Sequence, residues 1–242
     1  MDAKSNYWNR RALRRFGDKI TGRARLGGTW IDVGAHHGET TLQYAKQNPD
    51  LRVFAFEPNL SAAVKLMGRA PNYLVIPMAV AEKDGVANLH VNEFDAASSL
   101  LPFNEASLKT WIGGEALKVN STATVSTIRL DTFMNLAKIK NVDFLKIDTQ
   151  GADLVVVKSA GERLRDVAKI TLEVDIKPVP LYEGAPFKEE VLAFLSEAGF
   201  SLISVEKQSH DQEENLTFFR KDLLPRLRDS ERPTPEKSAH RK

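Results

Sequence analysis

The stretch that most constrains this chain is Thr29-Trp30-Ile31-Asp32-Val33-Gly34-Ala35-His36-His37-Gly38-Glu39. Trp30, Ile31 and Val33 favour a buried strand. Gly34 and Gly38 then permit backbone angles and close approaches that a Cβ would block. Residues from Glu39 to Lys46 can continue as a helix, with an acid in its first turn and a lysine near its end. A strand that runs through a glycine turn into a helix N-terminus points to an open α/β sheet, where such a turn commonly cradles a nucleotide-like ligand.

The residues in the turn narrow the ligand. A dinucleotide fingerprint aligned on Gly34 needs glycines at positions 36 and 39, and this chain has His36 and Glu39. An imidazole would obstruct a pyrophosphate, and a carboxylate at the helix start would repel it. Asp32, two residues before the first glycine, suits a cationic ligand instead. S-adenosylmethionine carries an ammonium and a sulfonium and no phosphate. The next strand, Arg52 to Phe56, ends in Glu57-Pro58, 25 residues after Asp32. A carboxylate at that strand tip can accept both ribose hydroxyls. The bland alternative is that Asp32 and Glu57 only cap local backbone.

Composition sets limits on the function. The chain has 242 residues, 42% hydrophobic and 27% charged, enough for one large α/β domain. It has no cysteine, which excludes disulfides, thiolate metal sites and thiol nucleophiles and fits a cytoplasmic location. No apolar run is long enough for a transmembrane segment, and no signal-peptide pattern is present. The net charge of +2 is too small to argue for nucleic acid.

Residues 1–28 are rich in arginine, with Tyr7, Trp8, Leu13, Phe16 and Ile20 spaced to share a helical face. This basic segment is expected to lie on the domain edge or to make a weak membrane-surface contact. A single domain is expected over residues 29–221, followed by a disordered tail over 222–242 rich in Pro, Arg, Ser, Glu and Lys. Within the domain, strands are expected at Tyr73–Val80, Val86–Val91, Val125–Asp131, Val142–Asp148 and Ile170–Ile176, with helices between them. A closing pair, Leu202–Val205 and Leu216–Phe219, suits an antiparallel hairpin at the sheet edge. Between Glu93 and Thr124 the periodicity fades, as expected of a loop that shapes an acceptor pocket.

Taken in order, these pieces resemble the FkbM family of S-adenosylmethionine-dependent methyltransferases. The matching residues are Ile31 to Glu39, Phe56-Glu57-Pro58, Pro77-Met78-Ala79-Val80 with Asp84-Gly85, Ala97 to Leu100, Leu130-Asp131, Lys146 to Asp153, and Leu172-Glu173. The resemblance implies a class I methyltransferase fold: doubly wound, with a mostly parallel seven-stranded sheet and a C-terminal antiparallel hairpin. It also implies O-methylation of a hydroxyl on a sugar, polyketide or similar metabolite. The cofactor-binding residues it implies are Asp32, Gly34, Ala35, His36, Gly38, Glu57, Pro58, Ala79 and Val80. Gln150 and Asp153 stand where the family often has glutamates.

A hydroxyl nucleophile must lose its proton, so the strand-end carboxylates are the candidates for chemistry. Asp148 is the first choice for general base or acceptor anchor, with helix capping as its alternative role. Glu173 is second, its alternative being an ion pair to Lys146. His90 reads as a surface strand residue. No metal site is assigned, although Asp148, Glu173 and Asp175 could gather on a magnesium ion. A nicotinamide-dependent oxidoreductase and a non-catalytic S-adenosylmethionine-fold binding protein remain as other readings. No Asn-Pro-Pro-aromatic motif for a flipped base is present, which argues against nucleic-acid methylation.

Overall fold

A computed structural model describes residues 28–223. The basic N-terminal segment, its expected surface contact and the tail after Leu223 lie outside the described residues.

Strands β1 (Thr29–Val33), β2 (Arg52–Phe56), β3 (Tyr73–Ile76), β7 (Phe144–Ile147), β8 (Lys169–Asp175), β9 (Phe200–Gln208) and β10 (Glu213–Arg220) form one seven-stranded sheet. Its order is β3-β2-β1-β7-β8-β10-β9. β3, β2, β1, β7 and β8 run parallel, and β10 is antiparallel to both β8 and β9. The doubly wound sheet and its closing hairpin are as the sequence implies. The switch point falls between β1 and β7, whose carboxyl ends therefore open a crevice side by side.

Alternation along the strands sends side chains to two helical layers. Ile31, Val33, Phe54, Phe56, Leu145 and Ile147 pack on one face, with Leu130 and Met134 of α4 (Leu130–Leu136), Leu154 and Val157 of α5 (Asp153–Ser159), and Val191 and Leu195 of α6 (Lys188–Glu197). On the other face Val53, Ala55 and Tyr73 meet Leu42 and Ala45 of α1 (Leu42–Gln47) and Leu66 of α2 (Leu60–Leu66).

Three features differ from the sequence reading. Tyr73–Val80 is not one strand: Pro77 has no N–H to give a ladder, and Met78 N donates back to Ile76 O at 2.8 Å. The chain turns there, and Ala79–Val80 becomes β4 of a second sheet. That sheet has the order β4-β6-β5, with β5 at Gly85–Asn92 and β6 at Val119–Ile128. β6 begins earlier and ends earlier than expected, because it pairs antiparallel with all of β5 while Leu130 and Asp131 open α4.

The irregular segment thus shrinks to residues 93–118 and contains a short helix, α3 (Glu105–Leu108). It folds down on the loop after β8. Trp111 packs with Leu181, Tyr182 and Ala185. Asn104 N donates to Leu181 O at 2.8 Å, and Ile112 N donates to Gln212 Oε1 at 2.7 Å.

Candidate functional site

The glycine turn is held from two sides. Gly34 N and Ala35 N both donate to Phe56 O at 3.0 Å, tying the turn to the end of β2. Gly34 has φ +75°, and a Cβ on it would lie 1.8 Å from the carbonyl oxygen of Asp148. Only glycine therefore lets the turn lie against the end of β7. α1 starts at Leu42, three residues later than expected. The Thr41 hydroxyl donates to buried Asp32 instead of capping the helix, and Glu39 turns back to His36 and His37.

Glu57 reaches the cleft from the tip of β2 and is 6% exposed. Its Oε2 accepts His36 N at 2.7 Å, and its Oε1 accepts Asn59 N at 2.8 Å. Each oxygen has further acceptor capacity for a ligand hydroxyl. Burial pushes its carboxyl upward, against those two backbone donors.

Asp32 lies underneath the turn and does not line the cleft. Its Oδ1 is 3.2 Å from the ammonium of Lys146. Lys146 also donates to Gly34 O at 2.8 Å and stands 3.4 Å from Asp148 Oδ2. Burial alone would drive this lysine toward neutrality, but the Asp32 and Asp148 carboxylates outweigh it and keep it protonated. Burial likewise pushes Asp32 up, and the ammonium opposes that. The sequence reading offered an ion pair between Lys146 and Glu173 as the alternative to a catalytic Glu173. The register instead sets Lys146 beside Asp32 on the neighbouring strand, and that contact wins.

Asp148 ends β7 beside β1, with its N–H on Val33 O at 2.9 Å. Its side chain is 42% exposed and faces the cleft. It caps no helix: α5 has no side-chain cap, and Asp153 braces the turn by accepting Thr149 Oγ1 at 2.8 Å and Glu173 N at 3.1 Å. The Gln150 amide joins the two candidate carboxylates, donating to Asp148 Oδ1 at 2.8 Å and to Glu173 Oε2 at 3.2 Å. Tyr182 OH donates to Gln150 Oε1 and to Ala97 O, each at 2.9 Å. Burial, then the Asp148 and Glu213 carboxylates, push Glu173 well above the ordinary range. Asp175 turns away to accept Leu181 N at 2.7 Å, so Asp148, Glu173 and Asp175 form no cation cluster.

These groups line a cleft of about 1330 Å³. Gly34, His36, Glu57, Pro58, Ala79, Val80, Asp148 and Glu173 are on its walls, whereas Asp32, Ala35 and Gly38 support the turn from behind. Single-ligand pockets run to about 1,000 Å³, so the cleft has room for a nucleoside cofactor and an acceptor together. Ala79 and Val80 reach it from the second sheet. His36 has φ +47° and lies between Glu39 (3.1 Å) and Asp95 (2.9 Å). The hydrogen bond to Glu39, together with Asp95 and against partial burial, pushes its imidazole up to about 9. His90 is on β5, off the cleft wall. Sequence reasoning did not assign Tyr182 or Thr41 to the site, and it noted Gln150 at the strand end only as a departure from the family's glutamate. Thr41 could have been found from its spacing to Asp32, but Tyr182 sits in a loop with no periodic signal.

Comparison with known proteins gives a family for the chain. The FkbM methyltransferase domain matches residues 32–202. The curated 2-O-methyltransferase NoeI of Sinorhizobium fredii is 26% identical over 165 residues, which is 64% of this chain and 65% of that protein. The chain thus spans just under two thirds of the length of that relative. Among solved structures, a SAM-dependent methyltransferase from Aquifex aeolicus is similar at TM-score 0.44 and 14% identity, covering 87% of this chain and 88% of its own. Precorrin-6y C5,15-methyltransferase from Geobacter metallireducens is similar at TM-score 0.46 and 13% identity, covering 84% and 86%. With the domain match running from β1 into β9, across well over half of the sequence, the protein belongs to the FkbM methyltransferase family.

Proposed function

We propose that this chain is an S-adenosylmethionine-dependent O-methyltransferase acting on a hydroxyl of a sugar or similar small metabolite. One observation carries the reading. The Glu57 and Asp148 carboxylates stand on the walls of one cleft, at the tips of the strands on either side of β1, with the Gly34 turn between them. The relative's 2-O-methyltransferase name supports the oxygen acceptor.

The residues fit the cofactor's chemistry. Glu57 has acceptor capacity for ribose hydroxyls, and the turn carries no phosphate-binding glycine at position 36. Gly34, His36, Pro58, Ala79 and Val80 would complete the cofactor wall. When bound, S-adenosylmethionine supplies an electrophilic methyl group on its sulfonium. Most of the remaining work is positioning. Asp148 would accept the proton of the acceptor hydroxyl. The Lys146 ammonium stands 3.4 Å from Asp148 Oδ2, and the Gln150 amide fixes the orientation of that carboxylate. Glu173 is pushed toward its neutral form by burial and its acidic neighbours, so it suits a hydrogen-bonding role better than that of base.

Calorimetry of the full chain with S-adenosylmethionine, S-adenosylhomocysteine and NAD tests the cofactor. Both adenosyl ligands should bind, and Glu57→Ala should weaken them by about 1–3 kcal/mol, the cost of losing a charged hydrogen-bond acceptor. Tighter binding of NAD would overturn the reading. On a panel of hydroxylated acceptors, Asp148→Asn should lower saturated turnover by about 10²–10⁴-fold with cofactor affinity nearly unchanged. Near-parental turnover removes Asp148 from the mechanism.

A further inference from the structure

One cluster on the cleft rim takes no part in the proton transfer, although His36 within it also lines the cofactor wall. His36 and His37 are adjacent in the turn, yet their rings stack with centroids 3.8 Å apart and point the same way. His36 Nε2 is 2.9 Å from Asp95 Oδ1, and His37 Nε2 is 3.7 Å from Asp95 Oδ2. On the opposite edge both Nδ1 atoms face one oxygen of Glu39, at 3.1 Å and 3.7 Å. Two imidazoles thus present one edge to one carboxylate and the other edge to a second carboxylate.

We propose that His36, His37 and Asp95 form a binding site for a divalent first-row transition ion of the zinc class, with Glu39 orienting both rings. Three arguments lead there. The first is spacing. Tetrahedral bonds of about 2.0–2.1 Å set ligand atoms about 3.4 Å apart. The two nitrogen-to-oxygen distances to Asp95 bracket that value, and the three ligand atoms lie within 4.8 Å of one another. The second is the outer carboxylate. A metal-bound histidine almost always donates its other N–H to a carboxylate, carbonyl or water, and Glu39 stands where it can accept from both rings. The third is the polarity at His37. The exposed ammonium of Lys65 lies 3.3 Å from His37 Nε2, so a cation already stands at that nitrogen. A bound ion would displace this flexible side chain and release the proton that His36 otherwise holds. Two imidazoles and one carboxylate suit zinc and its neighbours over magnesium or calcium, which prefer all-oxygen sites. The ion would clip the glycine turn to the segment after β5, across the rim of the cleft.

Metal titration needs neither cofactor nor acceptor, so it tests this site separately from the methyltransferase reading. Chelator-treated full-length protein is titrated with zinc chloride by calorimetry. One zinc per chain should bind, with a micromolar or tighter Kd. His37→Gln and Asp95→Asn should each weaken binding at least tenfold, and Glu39→Gln should weaken it by about tenfold. His90→Gln, which removes a histidine on β5, should bind like the parent. Circular dichroism of each variant confirms that these surface substitutions leave the fold intact. The proposal is overturned if the parent takes up no zinc, if both His37→Gln and Asp95→Asn bind zinc like the parent, or if His90→Gln loses it equally.

Discussion

The two sides of the cleft are built in different ways. On the β1–β2 side, the Gly34 turn and Glu57 come from one short stretch of chain. Its linking contact, His36 N to Glu57, spans 21 residues. The side formed by the ends of β7 and β8 is assembled from distant pieces. Ser99 Oγ donates to Gln150 O across 51 residues, Tyr182 OH to Ala97 O across 85, and Ile112 N to Gln212 across 100. A site made of neighbours in sequence is fixed by local backbone geometry. A site made of long-range contacts is fixed by how separate segments happen to pack, and it can be reshaped by changing a loop without touching the sheet. On the proposed function, the first is the cofactor wall, set by local geometry, and the second the acceptor wall, which a loop can reshape.

The largest test falls on the local side. In Gly34→Ala the new methyl group would meet the Asp148 carbonyl at 1.8 Å, with backbone on both sides and φ at +75°. Neither strand end can yield without breaking the β1–β7 ladder. The expected cost exceeds about 4 kcal/mol, seen as failure to fold or a collapse of the melting temperature together with cofactor binding. A well-folded Gly34→Ala protein with parental S-adenosylhomocysteine affinity would show that the turn is far less constrained than the geometry says.

A smaller effect is expected on the assembled side. Tyr182 is 1% exposed, and its hydroxyl is shared between Ala97 O and Gln150 Oε1. Tyr182→Phe leaves both acceptors short of a donor, which should cost about 1–3 kcal/mol of stability. Gln150 would then be free to turn, loosening its hold on Asp148 and Glu173. The acceptor KM should rise while cofactor affinity stays at the parental value. If cofactor affinity fell in step with the acceptor KM, the two walls would not be separable.

The same contrast decides what could be read from the sequence. Gly34, Glu57 and the place of Asp148 beside β1 follow from strand-end logic, because a parallel α/β sheet forces those positions to one edge. The partner of Lys146 did not follow. Strand alternation gives the face a side chain takes, but the register between β1 and β7 decides that Asp32 rather than Glu173 is its neighbour. The contact between Gln150 and Tyr182 was illegible for a related reason. Their hydrogen bond depends on where the loop after β8 lands against the turn after β7, and no local periodicity encodes that contact. The split at Pro77 was readable in principle from the missing N–H, but a run of apolar residues on both sides masked it. His36 and His37 were visible as a pair, whereas Asp95 reaches them only because the segment after β5 folds back over the turn.

The smallest expected effect belongs to a buried charge on the long-range wall. Lys169 begins β8 and is 3% exposed, with its ammonium 4.7 Å from the centroid of the Phe144 ring. Burial pushes it down to about 8, against the attraction of Glu206. The folded state therefore holds this proton less tightly than the unfolded chain does. The penalty is fully present below about pH 8 and fades as pH rises from there toward 10.5, the ordinary lysine value. A shift of that size disfavours the charged form by about 3 kcal/mol. Replacing it with methionine removes the penalty but also loses a cation–π contact of about 1–2 kcal/mol. The stability of Lys169→Met relative to the parent should thus be greatest at and below pH 7. It should fall steadily between pH 8 and 10 as the parent's lysine sheds its proton. Melting curves of both proteins at pH 7, 8, 9 and 10 give the answer. A difference that does not change with pH would mean that burial does not loosen this lysine's hold on its proton.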